Sequence, residues 1–290
     1  MQNEADNKQS LTVVEVLIIL VVVFFALSFL IGFSLTTERN NSYARLKTHS
    51  DEALWQLLQR KNFPSHAKSR AFAIIANRQD AKKLLPKVYA MLIEKTDASS
   101  ALSNEFIAYL NAHPDAKVAE KLASDYLLSQ FPEKIWQQMK SDWASVCLPQ
   151  ALKFADRLSF VNTERDNKRF EFVAEVLSLN QHKLFFKIIA NFLKSPALKR
   201  DNKKLVCILD ALWNYGSSFS DDIFQSLQAI ISEDAGTKTD NFDALVEAMT
   251  KLMEKHRLQS SAEQFLAFIR ELKTGKWTAY KDVFIKALEK

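Results

Sequence analysis

Residues 165–177, RDNKRFEFVAEVL, and residues 200–212, RDNKKLVCILDAL, open on nearly the same polar run and continue as the same kind of apolar helix, 35 residues apart. Asp and Asn belong at helix starts, where a short side-chain oxygen caps backbone N–H groups that have no partner within the helix. The offset recurs upstream. Asp80-Ala81-Lys82 and Asp115-Ala116-Lys117 are 35 apart, as are Pro114 and Pro149, and Asp240-Asn241 gives a looser echo 39 residues after Asp201. Such a length holds two helices and two turns, so the repeat predicts a helical hairpin that buries its apolar face by stacking on its neighbours.

The remainder of the chain agrees with helix. Apolar residues recur three and four apart in Ala53-Leu54-Leu57-Leu58, Leu122-Tyr126-Leu127 and Ile223-Leu227-Ile230-Ile231, the stripe of an amphipathic helix. Prolines 64, 114, 132, 149 and 196 and the capping residues Asp80, Asp115, Asp201 and Ser220 mark breaks. This punctuation predicts roughly fourteen helices of about 12–18 residues between about Asn41 and Lys290, with no strand. Only 4 of the 290 residues are glycine, where about 20 are usual. That deficit excludes dinucleotide loops, phosphate loops and nucleophile elbows, and it places Gly216, Gly236 and Gly275 at or just after helix ends, where left-handed backbone is useful.

The expected fold is therefore all-α, with residues 42–290 forming a helical-hairpin repeat domain and an irregular helical bundle as the alternative. The period resembles tetratricopeptide and HEAT-type arrays. It lacks the diagnostic Gly and Tyr pattern of the first, so the resemblance implies the α-solenoid class and no particular family.

The N-terminal segment reads differently. Val16 to Phe33 is 18 residues without a charge, and a helix over residues 11–35 is long enough to cross the roughly 30 Å hydrocarbon layer. The expected organisation is a polar tail at 1–10, a single transmembrane helix at 11–35 in contact with the lipid bilayer, a linker at 36–41 and the helical domain at 42–290. Only Lys8 precedes the span, while Arg39, Arg45 and Lys47 follow it, which places the body on the cytoplasmic side of the inner (cell) membrane.

The run from Ser10 to Ile18, with Leu11-Thr12 and then Glu15, resembles the start of type IV pilins and pseudopilins. That resemblance implies cleavage before Leu11, a body outside the cytoplasm, and Glu15 setting the register of each subunit against its neighbour. Ser10 stands where the family has Gly, and the downstream sequence lacks the β-rich pilin head. A carboxylate in an apolar span is costly, which makes Glu15 a candidate assembly residue. Its place within one turn of the start of the span also lets the headgroup layer solvate it.

Candidate chemistry is sparse. Ser65-His66-Ala67-Lys68, Ser178-Leu179-Asn180 and Lys273-Thr274-Gly275 resemble, in order, the three short elements of penicillin-binding transpeptidases, which would make Ser65 the nucleophile and Lys68 its proton carrier. Lys273-Thr274-Gly275 follows a helical run instead of lying on a strand, so the three matches read as coincidence and no catalytic residue is assigned. The five histidines are scattered without i, i+4 pairs, Cys147 and Cys207 are 60 residues apart, and neither a metal site nor a cofactor site is expected. Both cysteines read as packing residues, or as one disulfide if the body is extracytoplasmic. If the hairpins stack, Lys168/Arg169 and Lys203/Lys204 align as a basic ridge for anionic headgroups, an acidic protein or nucleic acid, or else form a solvated rim offset by Asp166 and Asp201. No nucleic-acid motif accompanies them. The function that follows is non-catalytic: a membrane scaffold that docks protein partners, with a pilin-like or secretion-machinery subunit as the alternative.

Overall fold

The computed structural model describes residues 20–29, 44–60, 62–94, 101–158, 164–239 and 241–289. Every described regular element is helical, and no strand occurs among the described residues. The chain forms two compact units, Met1–Asp80 and Ala81–Lys290.

In the first unit residues 20–29 are helical (α1), and every one of them is exposed, with Phe24 at 69% and Phe29 at 74%. Only this part of the expected span at 11–35 is described. Among the described residues no helix is long and apolar enough to cross a membrane. Glu15 and the rest of the Ser10–Ile18 run lie outside the described residues, as does the linker at 36–41. Further along, α2 (Asp51–Gln59) packs on α3 (Ser65–Arg78). Ser50 caps α2 by accepting from the Ala53 amide at 3.3 Å. Arg78 ties the end of α3 to the start of α2, donating to Asp51 at 3.1 Å and to the His49 carbonyl at 2.9 Å.

The second unit contains α4 (Ala81–Glu94), α5 (Ala101–Ala112), α6 (Ala116–Leu127), α7 (Glu133–Ala155), α8 (Glu164–Leu179), α9 (Leu184–Leu193), α10 (Asn202–Leu212), α11 (Ser220–Ser232), α12 (Phe242–His256), α13 (Ser260–Glu271) and α14 (Lys281–Glu289). Helices two apart in the chain pack side by side. One row runs α8, α10, α12, α14, and a second runs α9, α11, α13. Cross-links fix the first row as parallel. At the C-terminal ends Asn214 donates to Ser178 Oγ at 3.0 Å and Lys255 donates to the Tyr215 carbonyl at 3.1 Å. At the N-terminal ends Asn202 donates to the Thr237 carbonyl at 2.7 Å, and the Phe242 ring lies 5.0 Å from Trp277. The first three pairs are 36, 40 and 35 residues apart, and each joins neighbouring helices of the row.

Pro149 behaves otherwise than its sequence context predicts. It lies inside α7, which continues for 23 residues, and Pro86 likewise lies inside α4. The Trp136 and Phe154 rings both touch Phe172, at 5.4 and 6.0 Å. In a straight helix those residues would be about 27 Å apart along the axis, too far to share one ring. α7 therefore bends between them, where proline removes a backbone donor and crowds the preceding turn. Buried Cys147 and Ala151 flank Pro149 and hold both arms to the core. Helix lengths consequently range from 9 to 23 residues, wider than the punctuation predicts.

The caps match the sequence at two positions and differ at a third. Asp115 accepts from the Lys117 and Val118 amides at 2.9 and 3.1 Å, and Asp201 accepts from the Lys204 amide at 3.2 Å. Ser220 is the buried first residue of α11, and its hydroxyl accepts from Ser261 at 3.1 Å instead of capping the helix. Gly236 and Gly275 have φ of +84° and +90°, whereas Gly216 is extended, with φ −78°. The left-handed turns after α6, α8 and α11 are taken by Ser129, Gln181 and Asp234. At all three the chain closes on itself, with Gln130 N–H donating to the Asp125 carbonyl at 2.9 Å, His182 N–H to the Leu177 carbonyl at 2.9 Å and Ala235 N–H to the Ile230 carbonyl at 3.0 Å. Non-glycine residues at these turns are one reason the chain carries so few glycines.

Candidate docking surface

The residues of the expected basic ridge fall on adjacent parallel helices, Lys168 and Arg169 on α8 and Lys203 and Lys204 on α10. Three of the four charges are engaged locally. Lys168 pairs with Glu171 at 3.1 Å and Glu133 at 3.6 Å, and it lies 5.4 Å from the centre of the Tyr126 ring. Burial pulls its pKa down, but the hydrogen bonds and charges of the two glutamates outweigh it and hold the ammonium above its ordinary value. Arg169 pairs with Asp166 at 3.4 Å and donates to the Arg157 carbonyl at 3.0 Å, and Lys204 pairs with Asp201 at 3.3 Å. Lys203 is exposed. The first row thus neutralises most of this charge against its own carboxylates.

A second paired cluster lies where α8 meets α7 and α6. Glu175 accepts from the Trp136 indole, from Gln137 at 3.2 Å and from Lys140 at 3.1 Å. Tyr126 donates to Glu133 at 3.2 Å. Burial, then the charges of Glu133, Glu175 and Glu171, raise the Tyr126 phenol far above its ordinary pKa, so it stays protonated and donates. Between α4 and α6, Tyr89 donates to the buried Asp125 at 2.9 Å, and Lys121 completes the pairing at 3.1 Å.

The three transpeptidase-like elements fall in structural roles or in separate settings. Ser65 is the exposed first residue of α3, in the first unit, with Lys68 one turn on. Ser178 is fully buried at the end of α8, where its hydroxyl donates to the Glu175 carbonyl at 2.9 Å and accepts from Asn214. Asn180 gives its amide hydrogens to the Ala144 and Val176 carbonyls, at 2.9 and 2.7 Å. Lys273 lies exposed in the turn after α13, before the left-handed Gly275. Ser178 and Asn180 are therefore hairpin-to-hairpin connectors.

Cys147 and Cys207 are free thiols, the first buried and the second half-buried. Burial pushes both up to about 12, and the charges of Glu175, Glu171 and Asp210 add to the effect at Cys207, so neither is a ready thiolate nucleophile at neutral pH. Among the described residues no group of three or more His, Cys, Asp and Glu side chains is placed to hold a metal ion.

The second row has a different surface. On α9 and the residues that flank it, Lys183, Lys187 and Lys194 are exposed, and the segment 184–193 between its first and last lysines contains no acidic residue. Their spacing of four and seven residues puts them on one helix face. On α11 and α13, Gln225, Gln228 and Gln264 are exposed and line a groove of about 190 Å³ with Asp221 and Ser260, over the buried rings of Phe224 and Phe265. Those two rings stand 5.0 Å apart and tie α11 to α13. None of the three lysines forms an ion pair with a described residue, and none of the three glutamine side chains a hydrogen bond with one. In the sequence these residues do not stand out, because an apolar helix with flanking lysines looks like any buried helix. The lysine spacing is the signal that was present.

Set against protein-family models, curated proteins and solved structures, the chain matches none.

Proposed function

We propose that this protein is a membrane-anchored helical scaffold, in which one N-terminal helix over residues 11–35 holds an α-solenoid-like body at the bilayer, where it docks protein partners. The observation that carries this reading is the contrast between α1 and the helices of the second unit. All ten residues of α1 are exposed, and nine of them are apolar. Helices such as α10 and α12 instead bury an apolar stripe and expose charge. An exposed surface this apolar calls for lipid or protein around it. The stacking of parallel helices one hairpin apart supports the solenoid part of the reading, since repeat arrays present extended surfaces well suited to binding other proteins. Anchoring raises the local concentration of whatever the body recruits.

The test is fractionation and proximity labelling of the full chain beside a variant lacking residues 11–35. The scaffold reading expects the full chain to resist carbonate extraction and to label a reproducible set of membrane-associated proteins, and the truncated chain to lose both. A full chain released by carbonate would overturn the anchor. The pilin-like alternative expects a mature chain that starts at Leu11, and an intact mass starting at Met1 would remove it. A cysteine introduced near Asn40 and labelled from outside intact cells would contradict a cytoplasmic body.

A further inference from the structure

We propose that the end of α12 is an acid-released latch: protonation of His256 frees Lys255 from the end of α10 and opens the edge of the array where the helices of the first row end. Lys255 and His256 occupy the last turn of α12. Lys255 reaches across to the end of α10, where its ammonium donates to the Trp213 carbonyl and, at 3.1 Å, to the Tyr215 carbonyl, and lies 4.6 Å from the centre of the Trp213 ring. Tyr215 is fully buried, and its hydroxyl donates in turn to the His182 carbonyl at 3.0 Å, in the turn after α8. One ammonium therefore closes an edge that α8, α10 and α12 share.

His256 makes that closure depend on pH. Its ring is 2% exposed, and neither nitrogen has a hydrogen-bond partner among the described residues. A neutral imidazole tolerates such a place far better than an imidazolium does. α12 itself carries Lys251, Glu254 and the flanking Arg257 near this end, and the elements packed against it bring Asp210 on α10, Asp221 and Asp222 on α11, and Lys286 and Glu289 on α14. Burial, first, and then the Lys255 ammonium hold the ring below its ordinary pKa, and no carboxylate counters them. The dipole at the end of α12 favours a charged ring, but burial outweighs it. His256 can therefore take up a proton only by leaving its place, and as the last helical residue it leaves by unwinding one turn, which carries Lys255 with it. Below about pH 6.5 the open form binds a proton that the closed form does not. Opening then becomes about tenfold more favourable for each unit of pH, until the closed form protonates as well.

The test is amide hydrogen exchange of the full chain in detergent micelles, read by mass spectrometry at pH 7.5, 6.5 and 5.5, with each rate divided by the intrinsic rate at that pH. The amides of Trp213, Asn214, Tyr215 and Gln259 are hydrogen-bonded in the closed edge, so they report its opening. Their protection is expected to fall by up to about tenfold between pH 6.5 and 5.5, while protection in the middle of α11 holds. His256→Leu is expected to keep its protection at pH 5.5. Lys255→Met is expected to lose protection several-fold at residues 213–215 already at pH 7.5. A fall that is equal across the second unit, or one that His256→Leu shares, would overturn the latch, as would wild-type protection in Lys255→Met. The wild-type profile and Lys255→Met decide the matter even if His256→Leu does not fold.

Discussion

Asn202 and Thr237 are joined in both directions: the Asn202 amide donates to the Thr237 carbonyl at 2.7 Å, and its carbonyl accepts from the Thr237 N–H at 2.8 Å. Asn202 also donates to Thr239 Oγ1 at 2.9 Å, and it is only 4% exposed. One side chain at the start of α10 thus fixes the turn that leads into α12, a full hairpin later.

Replacing Asn202 by Ala leaves the Thr237 amide and carbonyl without these partners in a part-buried setting. The expected loss is about 2–4 kcal/mol, from several hydrogen bonds removed with their partners left in place. Asn202→Asp keeps the acceptor but loses both donors, and it is expected to fall between wild type and Ala at low pH and nearer Ala at neutral pH. Denaturant midpoints at pH 4 and 7 check both. Hydrogen exchange should speed first at Thr237, and unchanged exchange there would count against the link.

The same turn contains Gly236, at φ +84°. A methyl group there would stand 2.9 Å from Leu245 Cδ2 and 3.1 Å from Asn202 Oδ1. Gly236→Ala is expected to cost about 2–3 kcal/mol, from left-handed strain plus crowding. Gly216→Ala is the control, because its φ is negative and the nearest atom, Gln181 Oε1, lies 3.6 Å away. It should change stability by no more than about 0.5 kcal/mol. Thermal unfolding of the two variants side by side separates a backbone requirement from a general intolerance of added bulk.

Ser129 ends α6 with φ 55°, where glycine meets no steric penalty. Ser129→Gly is therefore expected to stabilise the protein by about 0.5–1 kcal/mol. A lower denaturant midpoint for this variant would show that the serine side chain contributes more than its backbone strain costs.

His256, the last residue of α12, is 2% exposed, and neither ring nitrogen has a hydrogen-bond partner among the described residues. Burial, then the neighbouring Lys255 ammonium, pushes its pKa below the ordinary value of 6.5. As pH falls through about 6.5, the unfolded chain takes up a proton that the folded chain does not, so His256 contributes full stability above that pH and loses it progressively below. His256→Leu removes this contribution to the acid limb. It should be neutral or stabilising at pH 7.5, by up to about 1 kcal/mol, because an unsatisfied buried group is replaced by an apolar one. Denaturant midpoints between pH 7.5 and 5 decide it, and parallel curves for wild type and variant would refute the assignment.

By itself the sequence determined that the chain is helical. That is a local property, written in the three- and four-residue spacing of apolar side chains and in caps such as Asp115 and Asp201, whose bonds reach no further than the first turn. It did not determine what Pro149 does, because bending or ending a helix depends on whether buried neighbours such as Cys147, Ala151 and Phe172 hold the two arms in place. Nor did it determine which basic residues are available to a partner. Nothing immediately beside Lys168 (Asn167 and Arg169) or Lys187 (Phe186 and Ile188) in the chain says which of the two is paired. Packing α7 and α8 together brings Glu133 within 3.6 Å of Lys168, while the second row brings no carboxylate to Lys187 among the described residues. Charge availability is decided by what lies opposite a side chain across a hairpin, and only the tertiary structure sets that distance.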